Sequence, residues 1–219
     1  MKRPRICVTI VEDNIEAVKE IEHEVDLFEV RMDLIGPEWS ELVKYIKKPW
    51  IACNRSPQEG GQGSPDRVKR IDELLWAAAA GACIVDIEYQ TAGLDEIVPL
   101  IKAKAKCMLS FHDMVETPSY ATLVQIASSQ IKAGADICKI VTTAHSMEDN
   151  LAILKLIKNF PETKVVAFSM GEPGRISRIL APLAGGYYTY ACLSAGKESA
   201  AGQIPVKELL ELYEILRSK

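Results

Sequence analysis

Two hydrophobic periods alternate along this chain. Short runs rich in Val, Ile and Leu are each followed by a longer stretch in which apolar residues return every three or four positions. A period of two belongs to strands and a period near 3.6 to amphipathic helices. The strand-type runs fall at 5–10, 27–32, 50–53, 83–88, 107–111, 137–141, 165–169 and 187–191, and the helix-type stretches near 13–24, 38–47, 66–80, 93–105, 119–133, 147–159, 174–184 and 205–217. Strict alternation implies right-handed strand–helix–strand units and a parallel sheet. Eight such units of about 27 residues predict an α/β fold, a parallel (β/α)8 TIM barrel, as a single compact domain over 1–219. A doubly wound open sheet would have fewer strands and a glycine-rich first turn. Here that turn reads Thr9-Ile10-Val11-Glu12-Asp13, without glycine. A Gly-Ala phrase recurs where a helix hands over to a strand, at Gly81-Ala82-Cys83 and Gly134-Ala135-Asp136, as expected of glycine at a helix end.

In such a barrel, chemistry comes from the C-terminal ends of the strands and the loops that follow them. The polar residues inside the strand runs are therefore the informative ones. Glu29, Arg31 and Asp33 share one parity, and Asp86 and Glu88 share another, so each set points to one side of its strand. A buried charge must be paired or face a ligand. Lys139, in Asp136-Ile137-Cys138-Lys139-Ile140-Val141, must shed its charge or find a partner, and two readings stay open. One is a structural pair with Asp86 or Glu88; the other is a desolvated amine that attacks a ketone to form a Schiff base. His112 ends the fifth strand, whereas His23 has the character of a surface residue and His145 lies in a polar loop after the sixth strand. The loop Ser56-Pro57-Gln58-Glu59-Gly60-Gly61-Gln62-Gly63 could cradle phosphate or act as a lid, but it lacks the spacing of a P-loop. The small-residue loop 194–203, bracketed by Gly196 and Gly202, has the composition of a segment that moves over a ligand.

Composition narrows the partner. The 219 residues carry 26 Lys and Arg against 30 Asp and Glu, a net charge of −4, with 48% apolar residues. That excludes disorder, and without a basic stripe the chain is not expected to bind nucleic acid or an anionic membrane. The longest apolar run, 74–85, is too short to span a bilayer. The basic start is followed by an apolar stretch too short for a signal sequence, so a cytoplasmic protein acting on a small molecule is expected. The six cysteines form no CxxC pair and read as reduced, buried small hydrophobes. No metal-binding cluster emerges from the spacing.

Taken together these residues resemble the type I 3-dehydroquinases, the Schiff-base dehydratases of the shikimate pathway. The resemblance covers nearly the whole chain and rests on ordered motifs: Glu29-Val30-Arg31, Arg55 with Glu59-Gly60-Gly61, Asp86-Ile87-Glu88, and Ser110-Phe111-His112-Asp113 with Thr117-Pro118. It continues through Lys139, Ser169-Met170-Gly171 with Ser177-Arg178, and Ser199-Ala200-Ala201-Gly202-Gln203-Ile204. It implies dehydration of 3-dehydroquinate to 3-dehydroshikimate on the route to chorismate, with no cofactor and no metal. By position it makes Lys139 the Schiff-base lysine, His112 the general acid/base and Glu59 the carboxylate that orients His112. Arg178 becomes the ligand of the substrate carboxylate, with Glu29, Arg31, Arg55, Ser199 and Gln203 as other substrate contacts and Thr9 as a hydroxyl at the end of strand one. Arg178 is also expected to favour the neutral form of Lys139. Ala201 stands where the family commonly has proline, which implies a looser lid hinge, and Phe111 replaces a more polar residue. The chain begins directly at strand one, without the extra N-terminal segment that many bacterial members of the family carry, which leaves open how the barrel floor is closed. A homodimer is compatible with the resemblance. The alternatives are a Schiff-base aldolase of the same barrel class, which would want a phosphate cradle, and a non-catalytic, metabolite-sensing relative, which would have lost the lysine or the histidine.

Overall fold

The structure is a computed structural model and describes residues 3–217. Eight parallel strands form where the period of two predicts them: β1 Ile6–Ile10, β2 Leu27–Arg31, β3 Trp50–Cys53, β4 Ile84–Glu88, β5 Lys106–His112, β6 Ile137–Thr143, β7 Val165–Met170 and β8 Thr189–Cys192. Their spatial order is β7-β6-β5-β4-β3-β2-β1-β8. The seam between β7 and β8 is bridged one turn of sequence before β8, where Tyr187 N–H donates to Val165 O (2.8 Å). The result is a nearly closed barrel, as alternation requires.

The helices are α1 Ile15–Ile21, α2 Met32–Ile35, α3 Trp39–Leu42, α4 Arg67–Ala79, α5 Leu94–Lys102, α6 Tyr120–Lys132, α7 Met147–Asn159, α8 Arg175–Leu180 and α9 Val206–Arg217. Their starts are capped by side chains that accept otherwise orphaned N–H groups. Asn14 serves Ala17, Asp66 serves Val68 and Lys69, Ser119 serves Thr122, and Ser146 forms a reciprocal box with Asp149. Gly81 and Gly134 both have positive φ, +108° and +93°, which accounts for the recurring Gly-Ala phrase. The stretch expected as one helix over 38–47 is instead one short helix, Trp39–Leu42, and a 3-10 turn, Val43–Tyr45. Gly36 at φ +79° and the following Pro37 separate this stretch from α2.

Strand parity divides the interior in two. One set of strand residues, with Val8, Val30, Ala52, Val85 and Leu109 among them, packs outward under the helices. The other set faces the lumen in layers. The lowest layer, Cys7, Leu27, Ile51, Ile84, Met108, Ile137, Val166 and Tyr188, is apolar and buried, with Cys83 and Tyr187 packed against it. This layer fills the lower end of the lumen with apolar side chains. One register step above it the lumen turns polar, and that boundary positions the site. The six cysteines are free, five of them buried and Cys83 half-buried. Among the described residues no helix is long and apolar enough to cross a membrane.

Candidate active site

The second lumen layer places Thr9 of β1, Glu29 of β2, Asp86 of β4, Ser110 of β5, Lys139 of β6 and Tyr190 of β8 around one space, with Arg31, Arg55 and His112 one step higher. A cavity of about 240 Å³ opens above them. All ten residues singled out from sequence line it: Thr9, Glu29, Arg31, Arg55, Glu59, His112, Lys139, Arg178, Ser199 and Gln203. His145 does not, since its Nε2 is engaged by the Val115 carbonyl outside the cavity, and His23 lies on the surface.

Lys139 is 4% exposed. Its Nζ donates to Asp86 Oδ2 (2.8 Å) and Glu29 Oε1 (3.1 Å) and lies 4.5 Å from the centroid of the Tyr190 ring. Burial pulls its pKa down, but the two carboxylates outweigh burial, and the net direction is upward. The resting side chain is therefore an ammonium ion. One of the partners expected from sequence, Asp86, is confirmed; the other, Glu88, is replaced by Glu29. Glu88 is already held by Arg55, Arg70 and the backbone N–H of Ser56.

Arg55 joins the two halves of the site. Its Nη2 pairs with Asp86 Oδ2 (2.6 Å), while Nη1 reaches Ser110 Oγ (2.7 Å) and Glu88 Oε1 (3.3 Å) and lies 3.8 Å from Glu59 Oε2. Asp86 thus faces two cations, which hold it far below the ordinary carboxylate range although burial opposes them. The cation that disfavours the charge on Lys139 is Arg55. This corrects the expectation that Arg178 does so. Arg31, two residues beyond Glu29 on the same face, makes a forked pair with Asp33 (2.8 and 2.7 Å).

Glu59 accepts from, or donates to, His112 Nδ1 at 2.6 Å. The Gly-rich loop that carries it is a tight turn folded back on the end of β3. Gly60 sits at φ +79°, and a Cβ on Gly61 would lie 2.1 Å from Arg55 O, so side chains are excluded there. Burial pushes Glu59 up to about 8, with Glu88 and Asp86 adding to the effect and Arg55 opposing it. Burial also holds His112 well below its ordinary value, assisted by Arg55 and Lys139.

Arg178, on α8, is 1% exposed and makes no pair with a carboxylate among the described residues. Its guanidinium stacks 4.3 Å from the Phe168 ring, Nη2 donates to Ala201 O (3.2 Å), and Nε has no partner. Burial without a counter-charge lowers its pKa to about 9. A buried guanidinium in this condition is a ready receptor for a planar anion.

Loop 194–203 lies latched over the cavity mouth. The Ala201 carbonyl accepts from Gly171 N–H as well as from Arg178. Gly202, at φ +79°, would put a Cβ 2.4 Å from Gly171 O. Gln203 accepts from Ser199 N–H (2.8 Å) and donates to Thr9 Oγ1 (3.1 Å), and Thr9 donates in turn to Glu29 (3.4 Å). Lys197, in the same loop, pairs with Glu12.

Sequence spacing suggested no metal-binding cluster, yet the fold brings donor atoms of Glu29, Cys53 and Asp86 within 4.8 Å of one another. Lys139 and Arg55 already neutralise these carboxylates, and Arg55 Nη2 also donates to Cys53 Sγ (3.4 Å). The triad fits two organic cations, not a metal ion. Two site residues went unread in the sequence. Tyr190 gave a signal only through its shared parity with Tyr188, and Arg70, the second partner of Glu88, lies on a helix where nothing distinguished it.

A model of the family described as "Type I 3-dehydroquinase" matches residues 6–219. The chain is 42% identical over 214 residues to a 3-dehydroquinate dehydratase from Dehalococcoides mccartyi, covering 97% of this chain and 96% of that one. It is 35% identical over 222 residues to one from Methanocaldococcus jannaschii, covering 98% and 100%. Among solved structures, a 3-dehydroquinate dehydratase from Aquifex aeolicus superposes with a TM-score of 0.82 at 28% identity, covering 97% and 99% of the two chains. A type I enzyme from Clostridium difficile, solved with covalently modified comenic acid, gives 0.86 at 26% identity, covering 99% and 93%.

Proposed function

The chain belongs to the type I 3-dehydroquinase family and is a hydro-lyase acting on 3-dehydroquinate in the shikimate pathway, and we propose that it forms 3-dehydroshikimate through an imine on Lys139 with His112 as acid and base. The observation that carries this reading is the pairing, in one cavity, of a buried primary amine with a buried guanidinium that has no acidic partner. A ketone that also bears a carboxylate satisfies both. The free thiols suit a reducing cytoplasm.

The substrate carboxylate seats on Arg178 and the ketone carbon meets Lys139. The ammonium first yields a proton to one of its carboxylate partners, and the neutral amine then forms the C–N bond. Loss of water gives a protonated imine, a better electron sink than the ketone. His112 removes a proton from the adjacent carbon, and the freed electron pair moves to nitrogen as an enamine. The enamine expels the hydroxyl from the next carbon, and the imidazolium returns its proton to that hydroxyl as it leaves as water. Hydrolysis of the conjugated imine regenerates Lys139, so the balance is one water lost. Pure protein mixed with 3-dehydroquinate should therefore develop the ultraviolet absorbance of a conjugated enone; an unchanged spectrum would overturn the reading.

The acidic partner of His112 sets a pH dependence. While Glu59 is protonated it donates to Nδ1, and the proton of the neutral ring must sit on Nε2, where it blocks a base. Once Glu59 ionises it accepts from Nδ1, and Nε2 is free. kcat/KM should rise with pH and level off above about 8, an apparent value that belongs to the pair. Glu59→Gln can accept from Nδ1 at any pH, so its rising limb should shift to lower pH, toward the depressed titration of His112 alone. Its plateau should be lower by on the order of tenfold, because the amide does not stabilise the imidazolium. An unshifted limb in the variant would remove Glu59 from this role.

Arg178→Lys keeps a charge but loses the fork. KM should rise on the order of tenfold to a hundredfold, the range of charge-assisted hydrogen bonds lost, while the imine stays trappable with borohydride. Unchanged KM would place the substrate carboxylate elsewhere.

A further inference from the structure

The mechanism creates a problem of charge that the carboxylates alone do not solve. An ammonium has three N–H donors, and Lys139 spends two of them on Asp86 and Glu29. A protonated imine keeps a single N–H, so both hydrogen bonds cannot survive the step from ammonium to imine. The Tyr190 ring, 4.5 Å from Nζ, makes a contact that needs no hydrogen. A ring face attracts a cation through its quadrupole, most strongly when both are out of water.

The surroundings of Tyr190 fix that face. The residue is buried, with Phe168 edge-on at 5.7 Å and Tyr188 edge-on at 5.4 Å. Its hydroxyl lies 3.5 Å from that of Tyr188, below the amine and toward the barrel floor. Lumen parity puts Tyr190 on β8, while Lys139 is on β6, so β7 intervenes and the ring approaches across the lumen instead of along the sheet. Resting on the imine reading, we propose that the Tyr190 ring carries the positive charge of the imine nitrogen after Lys139 has lost its ammonium hydrogens. The other groups facing that nitrogen are Asp86 from β4, Glu29 from β2, Arg55 and Cys53 at and beyond β3, Cys7 from β1 and His112 from β5. β7 offers the neutral Val166 and Phe168. Tyr190 is therefore the aromatic face at the nitrogen, and it should keep the imine protonated, and hence reactive, to higher pH.

The test compares Tyr190→Phe, which keeps the ring, with Tyr190→Leu, which keeps bulk but no π face. Native-like circular dichroism establishes that both are folded. The alkaline limb of kcat should be unmoved in Tyr190→Phe and shifted down by about one pH unit in Tyr190→Leu, the size of a desolvated cation–π contact. Phenylalanines with increasing ring fluorination at position 190 provide a second series in which volume changes little. The limb should descend stepwise as the ring face loses its negative potential. Coincident limbs for Phe and Leu, or for the fluorinated series, would overturn the proposal. If borohydride traps no substrate on the wild-type enzyme, the imine reading itself has failed, an outcome distinct from a trapped adduct with an indifferent Tyr190.

Discussion

Lys139→Ala abolishes turnover and removes the borohydride adduct together, with the barrel still folded. This is the largest effect expected of any single substitution, because the variant has no group to replace the C–N bond on which every later electron shift depends. Folding survives because the charges left behind are not stranded equally. Asp86 keeps Arg55 at 2.6 Å and the Ser110 hydroxyl at 2.7 Å, while Glu29 keeps the Thr9 hydroxyl. Losing one member of a buried ion network costs roughly 3 to 5 kcal/mol at most, and the contacts that Asp86 retains offset part of that. Lys139→Met, closer in volume, should be less destabilised and equally inactive. The check is a peptide map after borohydride reduction during turnover. Wild-type enzyme should carry the substrate on Lys139, and an adduct on Lys197, which pairs with Glu12 in loop 194–203, would sink the assignment.

His112→Ala should separate the two halves of the chemistry. The imine still forms, because Lys139 and its carboxylates are untouched, but kcat falls at least about 10³-fold, since one imidazole serves both proton transfers. Borohydride trapping at wild-type yield alongside that loss would confirm the split. If the variant retained more than about a tenth of the wild-type rate, another base would be required. His145 is a poor substitute, with its ring bound to the Val115 carbonyl outside the cavity. Glu59, already 2.6 Å from the ring that is removed, would be the residue to test next. Loss of trapping together with turnover would instead mean that His112 acts in forming the imine.

Much of this site was legible before the fold was known, and the reason is periodicity. In a strand every second residue shares a face, so Glu29 with Arg31, and Asp86 with Glu88, had to emerge together, and a lysine centred in an apolar strand had to be partnered or reactive. The same periodicity, with helix-type stretches between, was enough for eight strands and a barrel. Local rules also located the glycine turns at Gly81 and Gly134. They failed over 38–47, where the apolar spacing had drawn one helix and the chain forms the short α3 and a 3-10 turn.

Parity determines which residues enter the lumen, but not their height or which charges meet. Those are decided by the stagger of eight strands closing on one another, a property of the whole barrel. It placed Glu29 beside Lys139, 110 positions away, left Glu88 to Arg55 and Arg70, and made Arg55 the cation bearing on the lysine where Arg178 had been expected. The tight turn after β3 brought Glu59 to His112. Burial without a carboxylate made Arg178 an anion receptor, and the width of the lumen let Tyr190 reach the amine from across it. The sequence by itself determined the alternating architecture and the inventory of reactive side chains, because those follow from local periodicity and residue chemistry. Only the tertiary structure decided the pairings and the titration of each group, because both depend on distances between strands that no local rule contains.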